Sequence, residues 1–270
     1  MRIGYLQLRP QFGAVAANCE AALHALSGVR ADLVVLPELC FTGYHFRDRD
    51  EAWALAEDPA DSVTVHRLTA LCRKQRLHLV VGFAERARRR LYNTALLIGP
   101  RGIVGRYRKL HLFMREKQIF DPGDRPPPVF SVRGARVGLM ICFDWVMPEV
   151  ARSLALAGAD VIAHPSNLVL GHCQRVMLTR CLENGLYAVT ANRCNGDRRP
   201  HGTLRFTGRS QVVGPRGELI HRAPARRPEL YLVDVDPRRA RDKALTPYND
   251  LLADRRPRCY RLLLREGISQ

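Results

Sequence analysis

The amino-acid sequence predicts an α/β fold made of two halves whose sheets face each other. Short apolar runs rich in Val, Ile and Leu recur along the 270 residues, and helical patterns lie between several of them. Each half also holds a similar turn after an apolar strand, Gly99-Pro100-Arg101-Gly102 in one and Gly214-Pro215-Arg216-Gly217 in the other. The paired turns hint at an internal pseudo-repeat.

The chain opens with a strand at 3–8, and strands follow at 33–36, 78–83, 94–98, 137–142, 161–164, 187–191, 211–213 and 230–235. Runs this short and apolar suit strands buried on both faces or in a sandwich core. The first helical pattern covers 15–26. A second, 62–76, places Val65, Leu68 and Leu71 on one face. A third, 148–156, starts with Pro148, a residue suited to a first helical turn, where its missing N–H costs nothing. A fourth, 174–184, ends in Asn184-Gly185, a C-cap signature. The arginine cluster from Arg86 to Arg90 lies between two strand-like runs, as a hairpin tip would. Pro126-Pro127-Pro128 marks the boundary between the halves, in a loop rather than a flexible linker. The whole chain, 1–270, reads as one domain, long enough to bury an ample core.

Composition narrows the function classes. The net charge is +17, which raises nucleic acid as a partner, but the arginines are mostly scattered. The sequence has no zinc-finger spacing, no RNP-type aromatic strand and no basic heptad, so the expectation is no nucleic acid. No apolar run reaches the roughly 18 residues of a membrane helix, so no membrane partner is expected. The strand-like N-terminus lacks the apolar run and cleavage site of a signal peptide. The eight cysteines include no C-x-x-C pair, and a cytoplasmic protein with reduced thiols is the natural reading.

Chemistry-bearing residues stand where strands should end, the place where α/β sheets bind ligands. Leu33-Val34-Val35-Leu36-Pro37 is an apolar strand stopped by proline, and Glu38 follows. Lys109 and His111 lie among apolar residues in Tyr107-Arg108-Lys109-Leu110-His111-Leu112-Phe113. Cys142 closes the buried run 137–142, and Pro148 begins a helix soon after. A cysteine on such a strand–turn–helix elbow is exposed near a helix N-terminus, and that position or a nearby cation lowers a thiol pKa. The Phe143 N–H, next to the nucleophile, is available to an oxyanion. A thiol nucleophile needs a base. His164 is one candidate, although no acid follows closely to orient it and Pro165 suggests a structural bend. Glu38 is the other, if burial raises its pKa, with Lys109 holding the developing charge. His164, His172, Cys173 and Cys181 are close in sequence but match no zinc-ligand spacing, so no metal is expected. Phosphate-loop, H-E-x-x-H and G-x-S-x-G patterns are absent.

Taken together, three segments resemble the nitrilase, or carbon–nitrogen hydrolase, superfamily. They are Leu36-Pro37-Glu38 with Thr42-Gly43-Tyr44, then Tyr107 to Phe113, then Cys142-Phe143-Asp144-Trp145 with Pro148-Glu149. The likeness extends to Tyr92-Asn93-Thr94, to Glu116 with Phe120-Asp121-Pro122-Gly123-Asp124, to His164-Pro165-Ser166-Asn167, and to Asn249-Asp250 and Asp254-Arg255-Arg256. The resemblance implies a four-layer α-β-β-α sandwich. It implies Glu38 as general base, Cys142 as nucleophile, Lys109 as stabiliser of the tetrahedral intermediate, and Glu116 as a second glutamate that positions substrate and lysine. It also implies no metal or organic cofactor, and a homodimer or larger homo-oligomer in which the segment 240–270 contacts a partner subunit. Tyr44, Phe113, Phe143, Trp145 and Asn167 are the expected substrate-binding residues.

The Cys142-Phe143-Asp144-Trp145 elbow looks most like prokaryotic amidase-like proteins and small aliphatic nitrilases, and it lacks the Trp-Glu that follows the cysteine in many true nitrilases. The expected activity is therefore release of ammonia from a small linear amide, through a Cys142 thioester. Small aliphatic nitriles and N-carbamoyl compounds are the alternatives. Trp145 and Phe113 are expected to wall a compact pocket for an uncharged substrate, their bland role being core packing. A carboxylate-bearing carbamoyl substrate would need an arginine clamp. Arg175 and Arg193 lie in segments that could approach the pocket. An acyltransferase and a basic nucleic-acid-binding protein with a vestigial site are the readings from other classes.

Overall fold

A computed structural model of the protein describes residues 1–264. The last part of the 240–270 segment, residues 265–270, lies outside the described residues. The first half supplies β1 (Arg2–Gln7), β2 (Leu33–Val35), β3 (His78–Ala87), β4 (Arg90–Gly99) and β5 (Gly102–Arg108). The second supplies β6 (Val129–Val132), β7 (Ala135–Leu139), β8 (Val161–Pro165) and β9 (Tyr187–Ala191). A polar hairpin of β10 (Cys194–Arg199) and β11 (Gly202–Thr207) comes next. Then come β12 (Gln211–Val213), β13 (Leu219–Arg222) and β14 (Glu229–Asp234).

The two main sheets repeat one plan. The first runs β14-β1-β2-β3-β4-β5, the second β6-β7-β8-β9-β12-β13, each order read from one edge. In each, three central strands are parallel: Ile3 pairs with Leu33 and Leu33 with His78, as Val137 pairs with Val161 and Val161 with Tyr187. The flanking strands are antiparallel. The two Gly-Pro turns occupy equivalent places, closing the β4–β5 and β12–β13 hairpins. The proline run lies where the chain crosses between sheets, but β14 then returns to pair with β1.

Alternation along each strand builds the layers. Ile3, Tyr5, Leu33, Val35, Val80 and Leu97 of the first sheet pack with Val137, Leu139, Val161 and Ala163 of the second in one buried core. The alternate residues Val34, Leu79, Val81, Leu96 and Ile98 pack against α1 (Val15–Ala25) and α3 (Val63–Gln75). Over the second sheet lie α5 (Pro148–Leu156) and α6 (Cys173–Asn184), which follow α2 (Arg49–Leu55) and α4 (Glu116–Ile119) in the chain. The buried stripes Val150, Ala151, Leu154 and Cys173, Met177, Cys181 recur every three to four residues, as a helix with one covered face requires. The fold is the four-layer α-β-β-α sandwich. All eight cysteines are free thiols, and seven are buried. Among the described residues, no helix is long and apolar enough to cross a membrane.

The helix ends match their sequence signals. Ser62 caps α3 by accepting from the Val65 N–H, and Gly185 ends α6 at φ +58. The arginine cluster is the β3–β4 hairpin tip, with Arg88 in the left-handed region at φ +54. Sequence periodicity misses β5, β6, β10, β11 and β13. Three of these are sheet edges and two form the separate hairpin. Half-solvated strands carry mixed sequences, so no apolar run announces them.

One glycine sets how closely the first catalytic-looking loop approaches its sheet. A Cβ on Gly82 of β3 would lie 2.2 Å from the Glu38 Cα and 2.6 Å from the Pro37 oxygen. The Gly82 N–H donates to that oxygen at 3.1 Å. Because the obstructing atoms are backbone, Gly82→Ala is expected to displace the Glu38 loop and to cost at least the ~1–3 kcal/mol of an overpacked core. Urea unfolding checks this, and unchanged stability would contradict so tight an approach.

Candidate active site

Neighbouring strand ends deliver the polar groups. β2 ends at Val35, the Leu36 N–H makes a last bond to the Val80 carbonyl (2.8 Å), and Pro37 then turns the chain so that Glu38 is fully buried. Lys109 follows β5. Its N–H donates to the Asn93 carbonyl at 2.9 Å and its own carbonyl accepts the Gly123 N–H at 2.8 Å, which fixes the lysine backbone at both ends. Glu116 is the first residue of α4, packed behind the lysine.

Cys142 follows β7 at φ +39, a left-handed conformation that disfavours residues with a Cβ. A tight 3-10 turn, Cys142–Val146, leads from it into α5. Buried Asp144 holds the elbow. It accepts the Ile141 N–H (3.0 Å), the Tyr107 hydroxyl (2.9 Å) and the His111 N–H (3.2 Å), and meets the His111 ring at 2.7 Å. His164 backs the same turn: Nε2 donates to the Cys142 carbonyl at 3.0 Å and Nδ1 lies 3.1 Å from the Thr190 hydroxyl. Burial pushes the His164 imidazole down to about 4. This is an elbow support, and the rival-base reading does not fit it. As second residue of the turn, Phe143 has no intrahelical acceptor for its N–H.

The charges form one buried chain. Lys109 Nζ lies 2.6 Å from Glu38 Oε1 and 2.8 Å from Glu116 Oε2. Asn93 donates to the same Glu38 oxygen at 2.7 Å, while Glu38 Oε2 is buried with no hydrogen-bond partner among the described residues. Glu116 also accepts the Tyr44 hydroxyl at 2.5 Å and the Phe113 N–H at 3.1 Å. Burial alone would lower the Lys109 ammonium, but Glu116 and Glu38 overcome it and hold the ammonium above its ordinary range. Burial raises Glu116, against the pull of Lys109. Burial and then Glu38 push the Cys142 thiol well above its ordinary value, with Lys109 opposing. The resting sulfur is therefore a neutral thiol, which needs a base to become a nucleophile.

Phe113, Phe143, Trp145 and Asn167 border the cleft of about 230 Å³ that reaches Cys142. The Phe113 and Phe143 rings meet with centroids 4.9 Å apart. Tyr44 and Glu116 border an adjoining space of about 520 Å³, which shares Phe113 and Val169 with that cleft. Asn167 also ties the two halves together, because its Nδ2 donates to the Glu38 carbonyl at 2.7 Å. Arg193 is not free to clamp a substrate. It is buried, with both terminal nitrogens on Asp197 at 3.0 and 2.8 Å. Arg175 is exposed on α6. His172 is exposed while Cys173 and Cys181 face the core, and among the described residues no cluster of three or more such groups could hold a metal.

Sequence reasoning missed Asn93 and Asp144 as positioning residues. Each carried a signal, a polar side chain inside an apolar strand and a carboxylate two residues past the cysteine, but neither signal names a partner.

The carbon–nitrogen hydrolase family model matches residues 2–244. The chain belongs to the carbon–nitrogen hydrolase family. It is 41% identical to a nitrilase of Pyrococcus abyssi over 96% of this chain and 99% of that one. It superposes on a carbon–nitrogen hydrolase of Helicobacter pylori with a TM-score of 0.89 at 26% identity, over 98% of each chain. It also matches an amidase of Nesterenkonia at 27% identity and a TM-score of 0.78, over 97% of this chain and 99% of that one. That amidase, a mutant, shows Michael addition of acrylamide at its active-site cysteine. This protein is therefore an enzyme that hydrolyses carbon–nitrogen bonds.

The elbow support of this hydrolase makes its stability depend on pH. Folded His164 stays neutral down to about 4, whereas an unfolded imidazole takes up its proton near ~6.5. Its contribution is therefore complete above the unfolded value and is lost as pH falls toward the folded one, in total about 3 kcal/mol. In urea unfolding from pH 7 to 4, wild type should lose about that much more stability than His164→Gln. Parallel losses would show that the histidine does not titrate this way.

Proposed function

We propose that this enzyme hydrolyses a linear, uncharged amide to a carboxylic acid and ammonia through a thioester on Cys142. The observation that carries the reading is the buried chain Glu38–Lys109–Glu116 beside a neutral thiol, with one Glu38 oxygen left without a partner. That oxygen takes the thiol proton as the sulfur attacks the carbonyl carbon. Lys109 and the Phe143 N–H stabilise the resulting oxyanion, a role strengthened by the dry surroundings. Glu38 returns the proton to the leaving nitrogen, and ammonia departs. Water then gives a proton to Glu38 and attacks the thioester, and the collapsing intermediate releases the acid and restores the thiol. Glu116 and Tyr44 hold Lys109 in place throughout.

The likeness to the Pyrococcus abyssi nitrilase favours a second reading, attack on a nitrile carbon by the same groups. We also propose a homodimer or larger homo-oligomer, supported by the half-exposed Leu156 of α5 and Leu182 of α6 and by exposed Tyr248 and Leu262. The free buried thiols suit a cytoplasmic setting.

Ammonia release from primary amides, N-carbamoyl compounds, mononitriles and dinitriles tests the reaction. Amides are expected to lead, and Cys142→Ala to abolish release. Glu38→Gln, which keeps the shape but not the base, should lose on the order of 10²–10⁴ in kcat. Turnover that survives Cys142→Ala would remove the thioester mechanism. Sedimentation of the intact chain as a monomer would remove the dimer.

A further inference from the structure

We infer that the substrate's acyl group is an extended apolar chain lodged beside the Cys142 cleft, and that it bears no carboxylate. The inference rests on the amide reading above, because ammonia as leaving group places all remaining bulk on the acyl side.

The adjoining space holds about 520 Å³, part of it open to solvent, and Phe113 and Val169 border both it and the Cys142 cleft. Phe46, Phe113, Ile119, Phe120, Val169 and Leu204, with the exposed Met114, make up its apolar wall. Two of its polar neighbours are already engaged. Tyr44 bonds to Glu116, and Glu116 to Lys109. Arg115, at the rim, donates to the Arg47 carbonyl at 2.6 Å. His45 lies there too, its Nδ1 without a partner among the described residues and its imidazole lowered by burial and by His201, which disfavours a positive charge there.

An entering carboxylate would lose its hydration against an apolar wall, with only the Arg115 guanidinium at the rim to meet it, and would face the charge of Glu116. The other arginines that could have served are elsewhere. Arg193 is locked onto Asp197 with its guanidinium 4.3 Å from the Phe206 ring centre, and Arg175 points into solvent beside His172. An apolar acyl chain instead trades water for apolar side chains, and each buried methylene should add about fourfold to kcat/KM.

Steady-state kinetics on the intact enzyme with propionamide, butyramide, pentanamide, hexanamide and the half-amide of adipic acid test this. The expected result is kcat/KM rising about fourfold per methylene, with the half-amide at least about tenfold below hexanamide, which it matches in length. Leu204 lies on the partly exposed hairpin strand β11, where substitution is tolerable. Leu204→Ala should flatten the chain-length slope, and Leu204→Trp, which fills the space, should reverse it. A flat or falling slope in wild type with propionamide turned over would overturn the inference and leave the hydrolase reading intact. So would a preference for the half-amide that Arg115→Gln abolishes. Failure to turn over any amide would overturn the amide reading and this inference with it.

Discussion

The site depends on one buried cation shared by two carboxylates. Lys109 lies within 2.6 Å of Glu38 and 2.8 Å of Glu116, out of contact with solvent. A charge in such a place is tolerated only when paired and hydrogen-bonded, and removing one partner leaves the other uncompensated. Everything around the triplet serves that pairing. Asn93 and Tyr44 occupy further carboxylate lone pairs, and the Phe113 N–H occupies another. The unpartnered Glu38 oxygen is the one carboxylate position of the triplet left open, and among the described residues the carbonyl oxygens of the adjacent Asn93 and Asn167 side chains are buried without partners too. A buried acceptor without a donor is costly in a folded protein, and a reacting proton is one reason to keep it.

The cysteine is prepared in the opposite manner to many reactive thiols. Helix ends and cations usually stabilise a thiolate. Here burial and an adjacent carboxylate outweigh the lysine and keep the sulfur protonated. In the mechanism proposed above, the charge of the nucleophile thus develops only when Glu38 accepts the proton. The strained backbone at Cys142 is maintained from behind, by Asp144 across the turn and by His164 on the cysteine's own carbonyl. Those two side chains hold a conformation that the residue itself disfavours, so strain at the nucleophile is balanced by hydrogen bonds outside the pocket.

The repeated sheet plan explains why these groups meet. Parallel central strands carry their loops to the same end, and the facing of two such sheets places β2 and β5 loops opposite the β7 and β8 loops. The Asn167 bond to the Glu38 carbonyl joins those loop sets across 129 residues of sequence. The β10–β11 hairpin adds the outer wall. Asp197 of β10, itself held by Arg193, reaches back to the N–H groups of Tyr44 and His45 at 3.3 Å. The arginine that sequence alone offers as a substrate clamp is thus committed to fixing a loop.

The central strands, the main helices and the residues Glu38, Lys109 and Cys142 were legible in the sequence. Buried strands must be apolar along their length, and a polar residue at the end of one stands out against that background. Glu116 was reached through the family resemblance, since nothing local marks the start of a short helix as part of a charge network. The edge strands other than β14 and the polar hairpin stayed hidden, because half-solvated backbone places few demands on side chains. The use of His164 as a support for the Cys142 turn, the engagement of Arg193 and the apolar space beside Cys142 were decided by tertiary structure alone. Each depends on which groups meet across the two sheets, and hydrogen bonding and desolvation are properties of that meeting rather than of any segment.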